Sequence, residues 1–347
     1  MSSDFCTVDR LDPENINKTG YQRLLDKSRA KEFADYIIDA QEKQDAFLPT
    51  SVFMATDKDL PFDQTSNTIE IILDDVCPLN IVDGQHRIEG LRLAAKKDPQ
   101  ILDFEFPVNI GVNLSEVVQM YHFLIVNTKQ KKVDESIAQR IKARLSQLID
   151  IADTLTLPKR LRKSILAGDD ASALEYIIFL NTVADSPWKD KIKMANDNTR
   201  GYSINQKSFV NAIKKYILVY NNPIRDRYSP EQQHRVFLNY WIALTNIIGE
   251  NPAVLFKSLG VDLFCKFYVY FLSKLDNIAS DFTIQTMQAL LDRVFESVEG
   301  DALGVGYTEF WELRGKAGTL NAAGFGKINA EMVKALHTIS AYEKKRM

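Results

Sequence analysis

The sequence predicts an α+β protein: a small mixed-sheet domain over residues 1–145, followed by a mainly α-helical domain over residues 146–347. Three observations carry this. Before residue 145, short runs rich in Val, Ile and Thr alternate with helix-spaced segments. Beyond it, apolar residues recur at i, i+3 and i+4 in one segment after another. No low-complexity linker separates the two parts, so the second is expected to pack on the first.

In chain order, "SRAKEFADYIIDAQEK" (28–43) has helical spacing, with Ser28 as its candidate N-cap. Residues 48–56 and 67–75 read as strands, as do 79–83 and 106–113. Between these strands, "RIEGLRLAAKK" (87–97) is helical. A further helix is expected over 114–128, capped by Ser115. The second part has helical patterns over 135–155, 172–185, 205–221, 229–249, 252–275 and 283–299. Turn signals at 157–160, 185–188, 221–223 and 249–252 divide them.

Composition narrows the function classes. The chain is 45% hydrophobic and 26% charged, as expected of a globular protein with a substantial core. A net charge of -3 excludes a surface that is basic all over, although a local basic patch remains compatible with it. Cys6, Cys77 and Cys265 are too widely spaced for a disulfide framework or a zinc pattern, and they fit a reducing cytoplasm. The N-terminal stretch has no apolar core, so no signal peptide is expected, and no run is long enough to span a membrane. The histidines His86, His122, His234 and His337 are scattered, without a metal-ligand spacing. His122, within an apolar helix, reads as a satisfied core or interface residue. No nucleophile elbow, dinucleotide fingerprint or P-loop occurs.

One stretch carries more chemistry than a turn requires. "NIVDGQHRIEGL" (80–91) leaves a strand, places Asp83, Gly84, Gln85, His86 and Arg87 in succession, and resumes as a helix. Gly84 permits a tight turn and a close backbone approach. The first N–H groups of a helix lack internal partners and carry positive partial charge, which makes an anion site. Arg87 can add bidentate bonds, His86 can exchange a proton near neutral pH, and Gln85 offers a donor and an acceptor. Asp83 would repel a bare phosphate. It is explained if it caps the turn, orients Arg87 or His86, or contacts a metal ion carried by the phosphate. The plain structural alternative is that Asp83 caps the helix and Arg87 pairs with Glu89 or Glu116.

"VDGQHRIEGLRLA" resembles the signature of the DGQHR-domain family, which includes the DndB and DpdB proteins of bacterial DNA-modification systems and is related to the ParB and sulfiredoxin superfamily. Two further stretches agree in order and spacing. "GYQRLLDKSRAKEFADYI" (20–37) resembles the family's first segment, and "FLIVNTKQKKVDESIA" (123–138) its third. The resemblance covers about residues 15–145. It implies a ParB-like nucleotide-binding fold with Gly84, Gln85, His86 and Arg87 on one side of a nucleoside triphosphate, Asn127 and Gln130 on the other, and Gln22 and Arg23 contributing; the charge of Lys129 adds it to the binding set. ATP, or another nucleoside triphosphate, and Mg²⁺ are the implied cofactors. Gln85 stands where sulfiredoxin has its reactive Cys, so sulfiredoxin chemistry is not expected. Val126 stands where ParB has an acidic residue, which leaves Asp83 as the metal-binding carboxylate. With Asp83, Gln85, His86 and Arg87 as the catalytic set, the resemblance implies an ATP-hydrolysing component of a DNA-modification system. That system would insert 7-deazaguanine with a partner transglycosylase, as for DpdB, or add phosphorothioate, as for DndB. The alternative is a non-catalytic DNA-binding regulator of the modification operon. Both readings make DNA a partner, directly or through a modification enzyme, with no membrane and with room for a homo-oligomer.

Other polar stretches allow two readings each. Lys129, Gln130, Lys131 and Lys132 suit a polyphosphate or nucleic-acid backbone, or they complement a helix C-terminus. "KRLRK" (159–163), 188–200 and "RDRY" (225–228), with Trp188, Tyr202 and Tyr228 nearby, form a DNA-facing stripe or are solvated faces. The glycine-rich 308–330 is a loop that closes over the cleft or meets a partner, or simply a set of turns.

Overall fold

A computed structural model describes residues 5–13, 20–48, 50–76, 78–130, 134–148, 158–249, 254–279, 281–298, 306–312 and 315–339, excluding the side chains of 128–130 and 308. The architecture is α+β. The chain forms two compact units, Met1–Leu166 and Ala167–Met347.

The first unit is built on a four-stranded sheet of order β1-β5-β2-β6, with β1 at Cys6–Thr7, β2 at Val52–Ala55, β5 at Leu79–Asp83 and β6 at Val108–Gly111. β5 runs antiparallel to β2, while β1 and β6 are parallel to their neighbours, so the sheet is mixed. Val52, Met54, Leu79, Ile81 and Ile88 form its core. On another side, α1 (Lys27–Glu42) packs on α3 (Gln85–Lys97) through Ala34, Ile37 and Ala94. Gly90 allows that approach: a Cβ there would stand 2.6 Å from Phe33 Cδ1 and 2.8 Å from the Ala30 carbonyl oxygen. α4 (Glu116–Gln130) is tied to β5 by Gln119, whose Oε1 accepts from Asn80 Nδ2 at 3.0 Å and from Tyr21 Oη at 3.3 Å. α5 (Glu135–Gln147) and α6 (Lys159–Leu166) complete the unit.

Several expectations change. The strand expected over 67–75 shrinks to β4 (Thr68–Ile69), which pairs with β3 (Phe62–Asp63) in an exposed hairpin. Asp63 accepts bonds from Thr65 N and Ser66 Oγ and closes the turn. After Ile71 reaches the core, Leu73–Val76 turns as the short α2. The N-cap of α1 is Asp26 rather than Ser28: its carboxylate accepts from the Ser28 and Arg29 N–H groups. β1 has two residues, too short for alternation to register, and α6 occupies a region that turn signals had obscured. The expected helix over 135–155 is seen to Gln147, and 149–157 lie outside the described residues.

The second unit is mainly helical: α7 (Asp169–Thr182), α8 (Gln206–Ala212) continuing as a π-turn at 213–217, α9 (Pro230–Ile248), α10 (Ser258–Ile278), α11 (Ile284–Val298), α12 (Tyr307–Trp311) and α13 (Ala322–Thr338). A short parallel pair joins β7 (Ile192–Lys193) to β8 (Ile204–Asn205). Ser229 and Gln232 form a reciprocal capping box at the start of α9. Trp188, Phe209, Phe237 and Trp241 pack edge-to-face in its core. Trp188 is therefore interior and provides no surface for base stacking. Tyr228 packs on Phe282, and Arg227 pairs with Asp276. Much of 308–330 is likewise helix, because α13 begins at Ala322 with Asn321 as its cap, so it is not one long loop.

Candidate functional site

β5 ends at Asp83, Gly84 takes φ 101° and ψ 14°, and α3 begins at Gln85. That left-handed turn suits glycine, and a Cβ at Gly84 would stand 3.1 Å from a Val52 methyl and 3.2 Å from Arg87 Nη2. The turn directs the first N–H groups of α3 outward. Arg87 and Ile88 bond back to the Gly84 carbonyl at 2.9 and 3.0 Å, which leaves the N–H groups of Gln85 and His86 without a backbone acceptor among the described residues.

Around this turn lies a cavity of about 290 Å³ lined by Gln22, Arg23, Arg29, Thr50, Asp83, Gly84, Gln85, His86, Arg87, Phe123 and Asn127. The structure thus gathers eight residues expected from three distant segments: Gln22, Arg23, Asp83, Gly84, Gln85, His86, Arg87 and Asn127. The side chains of Lys129 and Gln130 lie outside the described residues. Arg29, Thr50 and Phe123 also line the cavity and were not anticipated. Arg29 sits in the first turn of α1, inside the segment of family resemblance, whereas Thr50 has no sequence signal.

The residues hold different posts. Arg87 is oriented from two sides: Nη2 donates to Asp83 Oδ2 at 2.9 Å, and Nη1 donates to the Thr50 carbonyl at 2.9 Å and to Thr50 Oγ1. Of the roles open to Asp83, orienting Arg87 is the one observed, and Arg87 pairs with Asp83 rather than with Glu89 or Glu116. Gln22 positions the strand: its Nε2 donates to the Ile81 and Val82 carbonyls at 2.8 and 2.6 Å. Asn127 Nδ2 donates to the Phe123 carbonyl one turn back at 2.9 Å. Gln85 is buried, and its Nε2 donates to the Arg23 carbonyl at 3.2 Å.

His86 links the two helix starts. Its Nε2 accepts the Asp26 N–H at 3.1 Å, so the neutral ring carries its proton on Nδ1. Burial, then the charges of Arg23 and Arg29, lowers its pKa to about 4, against the opposing pull of Asp26 and Asp83. Arg23 is pushed down by burial and by Arg29. The cavity therefore concentrates positive charge from Arg23, Arg29 and Arg87 and keeps its imidazole neutral at pH 7, an environment that favours an anionic ligand.

A metal ion here would have one carboxylate in the cavity lining, Asp83. Among the described residues, no three His, Cys, Asp or Glu side chains are placed to hold a metal by themselves. This fits Mg²⁺ arriving with phosphates, since Mg²⁺ commonly takes one or two carboxylates together with substrate oxygens. No helix among the described residues is long and apolar enough to cross a membrane.

Residues 4–253 match a protein family described as DndB, DNA-sulfur modification-associated. The match runs beyond the sheet-bearing part into the helical region. No curated protein and no solved structure matches the chain.

Proposed function

The chain belongs to the DndB family, DNA-sulfur modification-associated, and from that premise we propose that it is the nucleoside-triphosphate-binding, ATP-hydrolysing component of a DNA phosphorothioation system. Of the two chemistries implied by the resemblance, sulfur modification is the one the family description names. One observation carries the nucleotide reading: three arginines and the open N-terminus of α3 surround a single cavity at the Asp83–Arg87 turn.

In this reading the backbone N–H groups of Gln85 and His86 take phosphate oxygens, while Gly84 keeps the approach clear. Arg87, held by Asp83 and Thr50, presents a preset guanidinium, so little side-chain freedom is lost on binding. Arg23 and Arg29 neutralise further charge, and His86 supplies an Nδ1–H without adding a like charge to the arginines. Mg²⁺, when bound, lowers the charge on the phosphates, with Asp83 as its protein ligand. Phosphoryl transfer depends mainly on such positioning and charge neutralisation.

The test is a calorimetric titration of the full chain with ATP and Mg²⁺, paired with phosphate release. Arg87→Ala is expected to weaken binding about 10- to 100-fold, the loss of charge-assisted bonds worth ~1.5–3 kcal/mol, and to abolish turnover. Turnover unchanged by this substitution contradicts the reading.

A second reading, a non-catalytic DNA-binding regulator, is favoured by α6. Lys159, Arg160, Arg162 and Lys163 are all exposed on it, with no acidic residue from 154 to 168. These cations suit a phosphate backbone. Duplex binding followed by anisotropy at several salt concentrations should show a log–log salt slope that falls in magnitude by about 0.9 for each phosphate contact removed by Lys159→Gln or Lys163→Gln. Equal slopes count against α6 as the contact.

A further inference from the structure

The cavity is rich in donors, and one buried side-chain acceptor in its lining has no hydrogen-bond partner among the described residues. Gln85 is 5% exposed, its Nε2 is engaged with the Arg23 carbonyl, and its Oε1 is buried without a hydrogen-bond partner among the described residues. Exchanging oxygen and nitrogen does not relieve this, because the oxygen would then face another acceptor, the Arg23 carbonyl. The other side-chain acceptors nearby are better supplied: Asp83 and Thr50 both receive Arg87. Buried polar atoms in folded proteins are nearly always paired, so one left over at a ligand cavity calls for a donor, supplied either by water or by a ligand group.

An ionised phosphate cannot complete it. Its oxygens only accept, and they are matched to Arg23, Arg29, Arg87 and the start of α3. A group carrying N–H or O–H must therefore lie beside the phosphates. Resting on the nucleotide reading above and deepening it, we propose that Gln85 Oε1 accepts a hydrogen bond from the nucleoside of the ligand, so that the site takes a nucleoside polyphosphate in preference to an inorganic one. A sugar hydroxyl and a base amino group share this chemistry. The same bond makes Gln85 a specificity-determining residue, because a site built to pair with a donor rejects ligands that lack it.

The experiment compares full-length wild type with Gln85→Leu and Gln85→Met, each checked by thermal melting, in calorimetric titrations with ATP and tripolyphosphate. Both variants are expected to lose about tenfold in ATP affinity, as for one buried hydrogen bond, and to bind tripolyphosphate as wild type does. Purine riboside triphosphate, which lacks the amino group, and 2′,3′-dideoxy-ATP, which lacks the sugar hydroxyls, identify the donor: the analogue that binds wild type about tenfold more weakly and is insensitive to Gln85→Leu lacks it. Equal losses for ATP and tripolyphosphate, or no loss for either, overturn this inference and leave the cradle standing. An ATP-specific loss confined to Mg²⁺-containing buffer also overturns it, since the donor is then metal-bound water. A wild-type protein that binds neither anion overturns the nucleotide reading itself, and this inference with it.

Discussion

Two cavities lie along β5, and their chemistry is opposite. At the Asp83 end is the arginine-lined cradle of about 290 Å³. At the Asn80 end is one of about 430 Å³ lined by Asp9, Asp57, Asp75 and Glu116, with Lys58 as its basic residue. The larger space is not the better site. Its carboxylates come from scattered loops, the short α2 and the start of α4, and they are not placed to hold a metal ion. The smaller one joins a left-handed glycine, a helix N-terminus and an arginine fixed from two sides. Its local order, rather than its volume, is what supports the proposal that it binds a phosphate chain.

The largest effect that sharpens this contrast should come from charge. Arg23→Ala combined with Arg29→Ala is expected to weaken ATP binding about 100-fold, taking ~1.5–3 kcal/mol for each charged contact with partial compensation. Asp75→Asn and Glu116→Gln in the acidic cavity should change it less than about threefold, as expected of screened charges. Calorimetry on the three variants decides; comparable losses from both cavities would erase the distinction.

Backbone strain comes next. Gly84→Ala must hold a non-glycine residue at φ 101° and press a methyl on Val52 and Arg87, so it should cost about 1–3 kcal/mol in urea unfolding. Gly326→Ala in α13, where a Cβ meets nothing within 4 Å, should instead stabilise by up to about 1 kcal/mol. If both glycines tolerate alanine alike, the turn is not specially built.

The smallest effect is in pH dependence, where the cavities should oppose each other. His86 is lowered from 6.5 to about 4, so the unfolded chain binds the extra proton between those values and stability falls as pH drops through that window. Asp9 is raised from 3.8 to about 6 by burial and Glu116, so the folded chain holds the proton and stability falls as pH rises from 3.8 to 6. The two contributions nearly cancel over pH 4–6, so relative to wild type, urea midpoints there should fall with rising pH in His86→Gln and rise with it in Asp9→Asn. Identical profiles would contradict the assigned environments. Anion binding should also raise the His86 pKa, so proton uptake is expected when nucleotide binds below about pH 6.

The cradle was legible because its parts are contiguous. Asp83 to Arg87 occupy one strand-to-helix junction, and a glycine followed by helix periodicity locates both the turn and the free N–H groups. Gln22, Arg23 and Asn127 became legible through the family resemblance, not through any local signal. Thr50 was not legible: its role arises from register, because β2 starts beside the turn and brings its carbonyl and hydroxyl to Arg87. The hairpin at 62–69 escaped because Ile69, Ile71 and Ile72 look like one strand, while Asp63 and its bonds to Thr65 and Ser66 reverse the chain just before them. The aromatic residues near basic stretches misled in the case of Trp188, whose neighbours Phe209 and Trp241 arrive from distant helices to bury it.

The central claim is that the Asp83–Arg87 turn holds a polyphosphate, and a crystal structure of the full chain with a non-hydrolysable ATP analogue and Mg²⁺ tests it most directly. The account expects phosphate oxygens within hydrogen-bonding distance of the Gln85 and His86 N–H groups and of Arg87. An analogue bound elsewhere, with no phosphate at Arg87 or at the start of α3, would contradict it.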